Sequence, residues 1–94
     1  MDDWKRKLIR NGFEWINFET QTSVSLQVEN NRWTATLSVL LASGERERTA
    51  FFVEDSYSAS LQKCLMYVWR ALSMVDRAGF DLEEALADLR RFAS

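Results

Sequence analysis

Apolar and polar residues alternate most clearly in the middle of the chain. Val24, Leu26 and Val28 alternate with Ser23, Ser25 and Gln27. Trp33, Ala35, Leu37 and Val39 alternate with Thr34, Thr36 and Ser38. A period of two places one set on one face of a strand. Asn30-Asn31 separates the runs, and asparagine tolerates the positive φ of a tight turn. A two-residue turn there pairs Glu29 with Arg32, Val28 with Trp33, Leu26 with Ala35 and Val24 with Leu37. Every apolar residue meets an apolar one, which predicts a hairpin with one buried face. Gly44 marks the next turn and Glu45 to Val53 a third strand. Its register is open: either Phe51 and Val53 face the core, or Phe52 does. Leu40 points to the outer face in either case.

The period then changes. Leu61, Leu65, Val68, Leu72 and Val75 form a helical stripe, predicting one long helix from Asp55 or Ser56 to Gly79. Asp81 and Glu84 have capping-box spacing and open a final helix with Leu82, Ala85, Leu86, Leu89 and Phe92 inward. At the other end, Asp3 can cap a short helix carrying Trp4, Leu8 and Ile9, with Asn11-Gly12 as its stop. Phe13 to Glu19 reads as an extended segment or a continuation of that helix. The expected fold is α+β over residues 1–94 as a single compact domain. It is a three-stranded antiparallel sheet covered on one face by helices, in the order α-β-β-β-α-α.

Composition narrows the functional classes. The 94 residues are 47% hydrophobic, with a formal net charge of −2, which gives no basic pull toward nucleic acid or anionic membranes. The single cysteine excludes an internal disulfide. No apolar run approaches the ~18 residues of a membrane span. The first residues lack the apolar core of a signal peptide. The expected setting is the cytoplasm.

Candidate chemistry is sparse. There is no histidine, so the usual general base and commonest metal ligand are missing. Cys64 falls near the inward face of its helix and has no histidine to activate it. Ser60 and Lys63 match S-x-x-K, but the companion motifs of that hydrolase class are absent. Asp81, Glu84 and Asp88 suggest a cation cluster, yet the cap explains the first two and Arg91 pairs with the third. The three glycines are too scattered for a phosphate loop. The expectation is no enzyme, no cofactor and no metal.

What remains is surface. Met66, Tyr67, Trp69 and Met74 lie off the helical stripe. Met66 and Trp69 either pack beneath the final helix or join Tyr67 in an interface, where Trp, Tyr and Met are favoured. The outer sheet face is hydroxyl-rich and uncharged, interrupted by Leu40 and one phenylalanine. The candidate anchors are Leu40 with Phe52, ranked first, and Tyr67 with Trp69. Asp2, Asp3, Glu54, Asp55, Asp81, Glu83, Glu84 and Asp88 could draw in a basic, nucleic-acid-handling protein partner. A homodimer is compatible with the same surfaces.

The order α-β-β-β-α over residues 3 to 78 resembles the double-stranded RNA-binding domain, which implies a nucleic-acid-binding regulator. That family's lysine cluster is replaced here by the acidic, hydroxylated stretch Glu54-Asp55-Ser56-Tyr57-Ser58-Ala59-Ser60. The basic group Lys5, Arg6, Lys7 and Arg10 lies elsewhere. The reading favoured by the sequence is a non-catalytic protein-protein interaction module that adapts or inhibits a larger assembly. In size and character it is similar to small bacteriophage accessory and anti-defence, anti-CRISPR-like inhibitors.

Overall fold

The computed structural model describes residues 4–30, 32–53 and 58–93. Five strands precede three helices. They are β1 (Trp4–Ile9), β2 (Gly12–Asn17), β3 (Thr22–Glu29), β4 (Arg32–Leu40) and β5 (Arg46–Val53), then α1 (Ser58–Ala71), α2 (Met74–Gly79) and α3 (Leu82–Ala93). The sheet is an antiparallel meander in the order β1-β2-β3-β4-β5. The three-stranded sheet and the α-β-β-β-α-α order are therefore overturned, and the comparison with the double-stranded RNA-binding domain loses its basis.

The two additional strands come from residues 4–17, and the additional helix from a break after Ala71. Trp4 and Leu8 are spaced like neighbours on a helix, but they sit on one face of β1, with Arg6 between them opposite Trp15. Arg6 breaks the apolar alternation that would have marked a strand. It is tolerated because it reaches Asp88 on α3, at 2.5 Å. Asn11-Gly12 is not a helix stop. Asn11 takes the positive φ of 59° in the β1–β2 turn. Gly12 lies so close to β3 that an added Cβ would stand 1.8 Å from the Leu26 carbonyl oxygen. Phe13 and Trp15 continue an alternation that is extended, not helical.

The central hairpin has the expected register: Glu29 opposite Arg32, Val28 opposite Trp33, Leu26 opposite Ala35 and Val24 opposite Leu37. Asn30 takes φ 51° in its turn. On β5, Phe51 pairs with Ala35 and packs against the core, which resolves the open register. Phe52 pairs with Thr34, and its side chain lies outside the described residues.

The helices cover the inner face. α1 crosses β4 and β5, and α3 packs on α1 and β2. Leu61, Cys64, Leu65, Val68 and Leu72 are buried against Trp15, Val24, Leu26, Trp33, Ala35 and Leu37. Each buried aromatic takes about 150–250 Å² out of water, so Trp15 and Trp33 dominate this core. Phe80, in the α2–α3 link, meets Trp4 edge-on at 5.1 Å and Trp15 at 5.9 Å, tying the helices to β1 and β2.

The long helix does not run unbroken to Gly79. α1 ends at Ala71, and Ser73 caps a new helix by accepting from the Asp76 amide at 3.2 Å. Ser73 and Asp76 have the spacing of a capping box, which competes with the apolar stripe and wins. Val75, the last member of that stripe, is 74% exposed as a result. Arg77 folds back and donates to the carbonyls of Trp69, Arg70 and Leu72 at 3.2, 2.9 and 3.1 Å, supplying partners for the orphaned end of α1. Asp81 opens α3 as expected, accepting from the Glu84 amide at 3.0 Å. Asp3, Asp55, Ser56 and the side chain of Phe92 lie outside the described residues. Among the described residues no helix is long and apolar enough to cross a membrane.

Candidate functional site

With the helices on one side, the other face of the sheet is left uncovered among the described residues. Strand alternation sorts its side chains. Ser23 and Ser25 on β3 and Thr36 and Ser38 on β4 form a floor of short hydroxyl side chains. Taller residues flank it. Glu14 and Ile16 stand on β2 with Phe18 at its end, and Arg46 and Arg48 stand on β5. Short floor and tall flanks make an open trough of about 590 Å³.

The trough's charges are ordered. Lys7 meets Glu14 across the β1–β2 pair at 3.2 Å, so that carboxylate is already matched. The Nη1 of Arg46 donates to the Gln21 carbonyl at 2.9 Å and to Ser38 Oγ at 3.1 Å, which fixes its guanidinium beside one end of the floor. Arg48 is exposed and has no partner among the described residues. Phe18 is 66% exposed at the same end.

The sequence-derived anchors are not gathered into one patch. Leu40 pairs with Arg46 and Phe52 with Thr34, so Leu40 and Phe52 stand six residues apart along the strands, about 20 Å. Tyr67 and Trp69 follow one another by two positions on α1, which puts them on opposite flanks of the helix. Tyr67 is 38% exposed, with Lys63 Nζ 6.0 Å from its ring centre. Trp69 packs against the core, and the Arg77 guanidinium lies over its ring at 4.5 Å. Met66 lines a second groove of about 450 Å³ between α1 and α3, with Leu65, Leu82 and Leu86. Met74 is exposed.

Cys64 and Asp88 are both taken up in structural contacts. Cys64 is buried, its thiol pushed up to about 11 by that burial, and it faces the Phe51 carbonyl. Ser60's side chain, like Asp2 and Glu54, lies outside the described residues. Asp88 is 5% exposed and clamped between Arg6 and Arg91. Burial alone would raise its carboxyl; the hydrogen bonds and charge of the two arginines outweigh that and hold it below its ordinary value. Asp81 is committed to its cap, so Asp81, Glu84 and Asp88 do not form a cation site, and no group of three potential metal ligands occurs among the described residues.

Reasoning from sequence missed Glu14, Ile16, Phe18, Arg46 and Arg48. The signal was in Glu45-Arg46-Glu47-Arg48: strict alternation sends both arginines to one face of a strand and Glu47 to the other. Comparison with protein families, with curated proteins and with solved structures gives no match for this chain.

Proposed function

We propose that this chain is a non-catalytic interaction module, which docks a protein partner on the outer face of its sheet and so adapts or inhibits a larger assembly. The observation that carries the reading is the uncovered trough floored by Ser23, Ser25, Thr36 and Ser38. A sheet normally buries one face and leaves the other to water; here the second face is concave, with ordered charge along one side. Short hydroxyls lose little on desolvation when a partner supplies hydrogen bonds, so such a floor can be covered at low cost. The deep burial of Cys64 favours a structural over a nucleophilic role for the thiol. A free, buried cysteine also suits a reducing compartment, and the cytoplasm is part of the proposal.

The test is capture of the tagged chain from its native cell, alongside a Thr36→Trp variant that fills the trough without touching the core. A stoichiometric protein partner retained by wild type and lost by Thr36→Trp is the expected result. Co-purified nucleic acid in place of a protein, or a partner indifferent to Thr36→Trp, overturns the reading.

A further inference from the structure

The interaction-module reading leaves the partner's chemistry open, and the trough narrows it. On the outer face, Lys5, Lys7, Arg46 and Arg48 stand against Glu14, while Glu29 and Arg32 lie opposite one another at the far end of β3 and β4, in a chain whose formal net charge is −2. The face is thus cationic while the molecule is anionic. Its two long sides also differ. One carries Arg46 and Arg48; the other carries Ile16 and Phe18, with Glu14 held by Lys7.

From this asymmetry we infer that the trough receives an amphipathic helix of a protein partner, with carboxylates one turn apart along one edge and apolar residues along the other. The dimensions agree. The flanking strands β2 and β5 are three strand spacings apart, about 14 Å, and a helix with its side chains is about 10–12 Å across. Arg46 and Arg48 are two residues apart on one strand, a backbone spacing of about 6.6 Å, and the Cβ atoms of residues at i and i+4 on a helix are separated by about 6 Å. A helix lying along β3 and β4 therefore repeats its carboxylate positions at the spacing of the two arginine positions on the strand. Arg46 is held in place through Nη1 and keeps its remaining N–H groups for a carboxylate. Nucleic acid fits less well. Its binding grooves offer cations along the backbone path and several aromatics for stacking, whereas Phe18 is the lone aromatic side chain described in this trough.

The inference rests on the interaction-module reading and is tested apart from it. The probe is a fluorescein-labelled synthetic helix of about 15 residues, some four turns, with leucines on one face and glutamates at i and i+4 beside them. Its controls are the same peptide with lysine for glutamate and an oligothymidine of similar length. Anisotropy titration of the full chain is expected to favour the glutamate peptide over both. Arg46→Glu with Arg48→Glu should weaken that peptide at least about tenfold, equivalent to about 1.4 kcal/mol, and should improve binding of the lysine peptide. Should that variant fail to fold, Arg48→Gln serves, because Arg48 has no partner among the described residues to lose. Amide shifts in nitrogen–proton spectra are expected at Ser23, Ser25 and Thr36. Equal binding of the two peptides, tighter binding of the oligonucleotide, or shifts centred on Met66 and Leu86 each overturn the inference. If the glutamate peptide is refused while Thr36→Trp still abolishes capture of the native partner, the acidic-helix inference fails and the interaction module stands.

Discussion

Asp76 holds α2 against the sheet, and its removal has a calculable cost. Its side chain is 5% exposed and accepts from Thr20 Oγ1 at 2.6 Å, Thr22 Oγ1 at 3.0 Å and Ser73 Oγ at 3.0 Å. Its backbone carbonyl accepts from Trp4 Nε1 at 3.2 Å, which draws in the edge strand as well. Asp76→Ala removes three side-chain bonds at about 1 kcal/mol each and leaves the buried Thr22 hydroxyl without that acceptor, so about 3 kcal/mol is expected. In a domain of this size that corresponds to a fall in melting temperature of about 12–24 °C. Urea unfolding followed by near-ultraviolet circular dichroism measures the loss. Thr22→Val should cost about 1 kcal/mol alone and much less in the Asp76→Ala background, because the bond is already gone. If Asp76→Ala unfolds within about 0.5 kcal/mol of wild type, or if the two changes add without coupling, the hydroxyl cluster does not hold α2 as described.

Three further outcomes follow from the same geometry. Asp88→Asn should destabilise by about 1–2 kcal/mol at neutral pH, the modest figure reflecting two solvent-screened arginines. The folded carboxyl titrates below its unfolded value, so its contribution is complete above about pH 4 and lost as pH falls through the folded value; unfolding curves of variant and wild type should converge there, and a gap constant down to about pH 2 refutes the clamp. Cys64 should react with a disulfide reagent at pH 8 far more slowly in the native state than in urea, and similar rates would place the thiol outside the core. Gly12→Ala should cost about 1–3 kcal/mol or more by forcing β2 from β3, and an unchanged urea midpoint would contradict that close approach.

What the sequence disclosed depended on where each residue's partner lay. The β3–β4 hairpin was legible to the residue because Val28 and Trp33, or Leu26 and Ala35, are neighbours in both sequence and space. α3 was legible because Asp81 and Glu84 are in one turn. β1 was not, because the residue that spoils its pattern, Arg6, is explained by Asp88 on the last helix. The α1–α2 break was written locally in Ser73 and Asp76, but the stripe through Leu72 and Val75 pointed the other way. The trough required the register of β5, and that was fixed by Phe51 fitting against Ala35 beneath α1. Alternation left the register of β5 open, so the separation of Leu40 and Phe52, which follows from their pairing with Arg46 and Thr34, was not legible either.

The meander's strict sequence has a consequence for synthesis. Each strand pairs with the one made just before it, so the sheet can zip together as the chain leaves the ribosome, with short loops to close at every step. The helices that shield Trp15, Leu26 and Trp33 are made last. A sheet that pairs before α1 to α3 have docked has one apolar wall bare. The lysines and arginine of β1 at one edge, and the alternating charges of β5 at the other, guard such a sheet against pairing with a second chain.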